Sequence, residues 1–188
     1  MIQYTLPATY KHYAVPKIDR DAFLLARITG WEDLNLVEGS ANVYFGGSYI
    51  GQSYIYIRNV RHTLDLSLGR DKKVLVTRSK LKKYSSTKFI GSKRKETYAY
   101  EIIVKNNRKS PINIEIRDQI PVSQDSDIEV NKIEISDAEY DELKGELKWK
   151  YNIQPTKTER IKLTFSIKYP KSKSIKTKQL QKRSMRAF

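Results

Sequence analysis

Between Thr158 and Pro170, Ile161, Leu163, Phe165, Ile167 and Tyr169 hold one parity, while Arg160, Lys162, Thr164, Ser166 and Lys168 hold the other. Successive side chains of an extended chain point to opposite faces, so this spacing makes a strand with one buried and one wet face. The same period recurs upstream. Leu147, Trp149, Tyr151 and Ile153 alternate with Glu146, Lys148, Lys150 and Asn152, and Tyr98, Tyr100, Ile102 and Val104 alternate with Thr97, Ala99, Glu101 and Lys105. Ile112, Ile114 and Ile116 follow after the polar loop Asn106 to Ser110, which predicts two antiparallel neighbours joined by a short connection. Ile128 and Val130 share a parity that Ile133 and Ile135 do not, which predicts a bulge or kink between Val130 and Ile133.

The first half is less regular. Val43, Phe45 and Tyr49 flank Gly46, Gly47 and Ser48, a hairpin signal. Leu64, Leu66 and Leu68 run into Gly69, Arg70 and Asp71, which predicts a second hairpin turning into a strand that starts at Val74. Ala22 to Ile28 has no clean period and is expected to be a strand buried on both faces. The expected fold class is all-β: an antiparallel β-sandwich whose second half is immunoglobulin-like and whose first half is an irregular β region with hairpins. A composition shift over Ser85 to Glu96 suggests an N-terminal β region at 1–95, a sandwich at 96–170 and a flexible basic tail at 171–188.

Charge is the second constraint. The chain of 188 residues carries 36 Lys+Arg against 21 Asp+Glu, a formal net charge of +15. The excess is confined to two segments, 70–95 and 171–188, and the remainder is close to neutral. Within the first, Arg78, Lys80 and Lys82 share one parity of a strand and would stand roughly 6–7 Å apart, a row that can track anions on a polymer. Lys83, Lys88, Lys93, Arg94 and Lys95 extend the candidate anion-binding set. Lysine on an edge strand also blocks sheet-to-sheet aggregation, so edge protection is the competing reading.

Groups for catalysis are sparse. The chain has no cysteine, which excludes disulfide scaffolds, thiol enzymes and zinc knuckles, and His12 and His62 sit in no metal-ligand spacing. Glu32 and Asp33 follow Trp31 in a loop, an arrangement compatible with a sugar platform or with simple loop capping. Asp125, Asp127 and Glu129 alternate but lack the glycine and the spacing of an EF-hand. Tyr54, Tyr56 and Arg58 make the nearest approach to an RNA-binding sheet face. No phosphate loop or nucleophile elbow is present, and no cofactor is expected.

The ordered run of motifs resembles a known family. YKHYAVPKIDRDAFLLARITGWEDLNLVEGSANVYFGGSYIGQSYI, LDLSLGRDKKVLVTR, KFIGSKRKETYAYEIIVKNNRKSPINIEIRDQIPVSQDSDIEV and GELKWKYNIQPTKTERIKLTFSIKYP together are similar to the C-terminal β domain, of unknown function, of the mucoidy inhibitor A-like family. The likeness covers roughly residues 4–170 and leaves the basic tail outside. It implies a bacterial envelope protein, periplasmic or otherwise exported, whose upstream domains are missing here, and it carries over no catalytic residues. The functional expectation is a non-enzymatic envelope module for binding or assembly, with a protein partner or an anionic polysaccharide. A nucleic-acid-binding domain using the basic strand and tail is the first alternative, and an uncharacterised hydrolase is the second.

Overall fold

The computed structural model describes residues 3–34, 36–45, 47–56 and 63–173. Among them are twelve strands: β1 (Ala8–Ala14), β2 (Asp21–Ile28), β3 (Gly39–Phe45), β4 (Ser48–Ile55), β5 (Leu64–Lys80), β6 (Ser86–Ile90), β7 (Lys93–Asn106), β8 (Ile112–Gln119), β9 (Glu129–Glu134), β10 (Glu139–Asp141), β11 (Glu146–Ile153) and β12 (Thr158–Pro170). Short 3-10 turns lie at Glu32–Leu34 and Lys82–Tyr84. Ten strands form one sheet in the order β10-β11-β8-β1-β2-β5-β7-β12-β9, with β6 also paired to β7; β3 and β4 pair only with each other. All pairings are antiparallel except β1 with β8.

The protein is an all-β sandwich. Ile114, Ile116, Leu147 and Trp149 from the β8 and β11 side share one core cluster with Val76, Ile102, Val104, Ile161, Leu163 and Phe165 from the β5, β7 and β12 side. The alternation read in the sequence is what makes this possible, because the inward parities of both layers are mainly apolar. Main-chain pairing joins the two halves of the chain: β5 lies on β7, and β1 lies on β8. The division expected at residue 95 falls inside β7.

Three local readings hold. β2 is a strand with Ala22, Leu24, Leu25 and Ala26 all buried, and β3 and β4 form the hairpin around Gly47. The register of β9 on β12 shifts where Lys132 pairs with Phe165 and Glu134 with Thr164, so Ile133 is the bulged residue.

Two readings are corrected. β7 and β8 are not neighbours; their loop carries the chain from one layer to the other, because both apolar faces serve the same core from opposite sides. The fully buried Asn106 side chain anchors that crossing by donating to the carbonyls of Ser110 and Ile153 and accepting from the Arg108 amide. Nor does the chain turn back at Gly69. β5 runs through it as one 17-residue strand, and Gly69 (φ +83°) serves a bulge in which Leu68 and Gly69 face Leu24 alone.

Gly145 is held by closer constraints. It sits at φ +68°, its carbonyl accepts from the Ile120 amide, and a Cβ built there would lie 2.1 Å from the Ile120 carbonyl oxygen. Neither backbone segment can retreat without breaking the β8–β11 pairing. Gly145→Ala is expected to lower stability by about 2–4 kcal/mol, combining left-handed strain with overpacking, as read by urea unfolding.

Candidate functional site

The cations singled out in the sequence do not form one surface. Arg78 lies on the inward parity of β5 with Val74 and Val76, reaches across to β8, and donates from Nε to the fully buried Asp118 carboxylate at 2.7 Å. Its guanidinium also stacks over the Tyr100 ring at 3.7 Å. Lys80, next on the same parity, lies 5.2 Å from the Tyr98 ring centroid. Lys82 and Lys83 leave the strand in the 3-10 turn and are exposed. The row of three cations expected along one strand therefore does not form. Edge protection does not describe β5 as a whole either, since it lies between β2 and β7.

Arg94 is also engaged inward. It pairs with Glu96 at 2.6 Å, and that carboxylate accepts hydrogen bonds from the hydroxyls of Tyr98 and Tyr169. Desolvation pushes the Tyr98 and Tyr169 hydroxyls upward, and the Glu96 bonds push them further. The Arg78–Asp118 pair ties the two layers together. Arg78→Ala leaves a buried carboxylate without its partner and is expected to cost about 3–5 kcal/mol, with much of the loss recovered in an Arg78→Met, Asp118→Leu double variant, as measured by denaturant unfolding.

Lys88, Lys93 and Lys95 behave differently. Lys88 on β6 stands directly opposite Lys95 on β7, and Lys95 stands directly opposite Lys168 on β12. Directly opposed residues share a face, so the three lysines form a ladder on adjacent strands, which are spaced about 4.8 Å apart. Lys93, two residues from Lys95, adds to the same outward parity. Lys168 is relieved by Glu129 at 3.4 Å, while no ion pair of Lys88 or Lys95 occurs among the described residues. Lys168 was not legible as a member of this set, because its segment is nearly neutral and strand register is a long-range property.

On the outward face of β8, β1 and β2 lies a cavity of about 680 Å³. Tyr13, Val15, Ile18 and Leu25 give it an apolar wall. Its charged lining is largely self-paired: Arg27 makes a two-pronged contact with Asp65 at 2.8 Å, and Arg117 contacts Glu115 at 2.6 Å and Glu146 at 3.4 Å. The hydrogen bond from Arg27 holds the Asp65 carboxyl below its ordinary value. Lys17 donates to the Gln119 carbonyl at 3.1 Å, and burial depresses its ammonium. None of the eight sequence-selected cations lines this cavity. The residues that line it come from the outward parities of β1, β2, β5, β8 and β11, from the turns at Val15–Ile18 and Lys144, and from the buried Asp118 that Arg78 contacts from the other layer.

The remaining candidates have structural partners. His12 is buried and contacts Asp71 at 2.9 Å, and Asp71 also accepts from Arg108 and from the Lys73 amide. His62 and Arg58 lie outside the described residues, as do tail residues 174–188. Trp31 is 8% exposed, so its ring offers no stacking platform beside Glu32 and Asp33. Asp125 and Asp127 both accept from the Lys173 ammonium. Among the described residues no group of three His, Asp or Glu side chains is placed to hold a metal ion.

Desolvation depresses the His12 proton affinity below its ordinary value of 6.5, outweighing the opposing pull of Asp71. The unfolded chain then binds the proton more readily than the folded one. The His12 contribution to stability is present above pH 6.5 and is lost as pH falls through the depressed folded value. Thermal melts from pH 8 to pH 5 are expected to fall for the wild type and to be flatter for His12→Gln.

These features define an all-β sandwich domain carrying a lysine ladder on one outer face and a charged cavity on the other. The chain belongs to the family described as Domain of unknown function (DUF4139), whose model matches residues 2–171. It is similar to Protein F37C4.5 of Caenorhabditis elegans, 22% identical over 187 residues, which covers 93% of this chain and 34% of that protein. The chain thus spans about a third of the length of that relative. Among the described residues no helix is long and apolar enough to cross a membrane.

Proposed function

We propose that this domain is a non-enzymatic binding or assembly module whose ligand is an anionic polysaccharide, held on the outer face of β6, β7 and β12. The observation that carries this reading is the Lys88–Lys95–Lys168 ladder. Like charges directly opposed across strands destabilise a sheet, so a polyanion that neutralises the ladder recovers stability on binding. Lys93 extends the surface. Arg78 and Arg94 support it from within by holding β5 and β7 in place. A non-enzymatic role is supported by the placement of His12 in a buried hydrogen bond to Asp71 and by a cavity whose lining includes none of His12, Glu32 or Asp33. The resemblance to the mucoidy inhibitor A-like family supports an exported, envelope location for the polysaccharide contact.

Titration of the 188-residue chain with a polyuronate is expected to show binding that weakens with salt. Lys88→Gln with Lys95→Gln should reduce affinity about tenfold. The same double variant without ligand should be more stable than wild type by roughly 0.2–1 kcal/mol, since relieving opposed like charges is favourable. Equal binding of neutral and anionic polysaccharides removes the assignment. Preferential binding of duplex DNA, with log K falling against log salt by about 0.9 per phosphate neutralised, transfers the ladder to the nucleic-acid reading.

A further inference from the structure

The β3–β4 hairpin stands apart from the ten-stranded sheet and differs from it in chemistry. Residues 39–56 contain no Asp, Glu, Lys, Arg or His, in a chain that is 30% charged. Cross-strand register places Ser40 opposite Tyr54, Asn42 opposite Gln52 and Tyr44 opposite Tyr49, all on one face. All six are exposed, and Tyr56 continues the face beside Tyr54, with ring centroids 4.4 Å apart. Tyr44 is 65% exposed, Tyr49 55% and Tyr54 46%. The opposite parity, Ala41, Val43, Ser53 and Ile55, is turned inward, with Val43 buried.

The other sheet margins are guarded. β6 carries Lys88, β9 carries Glu129, Lys132 and Glu134, and β10 carries Glu139 and Asp141. Charged edges deter pairing with another chain. The hairpin has no such device, and among the described residues neither of its edges is bonded to a third strand. A two-stranded ribbon alone is marginally stable and gains from a packed partner.

We propose that the tyrosine face of this hairpin is the contact through which two copies of the chain associate, packed face to face about a two-fold axis. Charge argues for a second copy over a different protein. Two chains of net charge +15 repel wherever their basic segments approach, and the hairpin is a long stretch on which they meet without opposing like charges. A two-fold contact must also be complementary to itself. Tyrosine and serine hydroxyls and the Asn42 and Gln52 amides both donate and accept, so each group can pair with its own kind; Gln52 already donates to Asn42 at 3.2 Å within one hairpin. Four half-exposed tyrosines bury on the order of 400 Å² per copy, which places the dimer at the weak end of specific interfaces.

Sedimentation velocity of the 188-residue chain over about 5–500 μM is expected to show concentration-dependent association toward twice the 22.0 kDa chain mass. Raising salt should strengthen this association, because screening removes only the repulsion, whereas polyanion binding at the lysine ladder weakens with salt. Tyr44→Ser with Tyr54→Ser should weaken association at least tenfold, while Tyr84→Ser, an exposed tyrosine in the 3-10 turn, should leave it unchanged. Circular dichroism melts confirm that each variant is folded. A monomer throughout the range overturns the proposal, as does association that the double variant does not weaken. A wild type that stays monomeric but binds neutral phospholipid vesicles, with binding lost in the double variant, also overturns it and assigns the face to lipid.

Discussion

The structure depends on one constraint: two layers of strands share a single core, and each strand can give it only one parity. Ile102 and Val104 from β7, Ile161 and Leu163 from β12, Ile114 and Ile116 from β8, and Leu147 and Trp149 from β11 all face the same interior. Once those positions are committed, binding chemistry is left to the outward parities, the sandwich ends and the detached hairpin. The polar groups that do sit inward serve to close the sandwich. Asn106 bonds the layer-crossing loop, Arg78 reaches Asp118 between layers, and Asp71 gathers His12 and Arg108. Each is satisfied by a specific partner, as burial of polar groups demands.

This division explains why the same residue type has opposite meanings a few positions apart. Arg78 and Lys95 both belong to the basic segment at 70–95, yet one is inward and paired and the other outward and opposed by its own kind. Net charge cannot separate them, because charge is summed along the sequence while pairing is decided by parity and register. The +15 therefore mixes cations already used by the fold with cations the fold leaves unmatched.

Much of the local fold was legible because strand periodicity is a local signal. The faces of β11 and β12 follow directly from Leu147 to Ile153 and Ile161 to Tyr169, and the change of parity between Val130 and Ile133 marks the bulge that the β9–β12 register shows. What was not legible depends on which strand lies beside which. A loop of five polar residues looks the same whether it joins hairpin neighbours or crosses between layers, so periodicity alone pairs β7 with β8, which the sheet order does not. Gly69 permits positive φ both in a turn and in a bulge, and only the continued pairing of β5 with β2 decides between them. The candidate site divided for the same reason. Charge along the sequence marks Lys88, Lys93 and Lys95, but their link to Lys168 needs the β12 register, and the cavity residues become neighbours only on a folded multi-strand surface.

The hairpin extends this reasoning from pairing to its absence. Among the described residues of the main sheet, Tyr10 alone is an exposed tyrosine, and its ring lies 6.1 Å from Phe45 of the hairpin. On β3 and β4 the alternation persists, but the wet parity holds tyrosines and amides where the other strands hold lysine and glutamate. A face built only for water would have no reason to exclude charge in so basic a chain. Excluding it removes both the repulsion that keeps copies apart and the desolvation cost that buried ions would add. The same parity rule that commits Ile114 and Leu163 to the core thus marks the tyrosine face as an unpartnered surface of different chemistry from the lysine ladder, so the two contacts can be occupied at once without competing for residues.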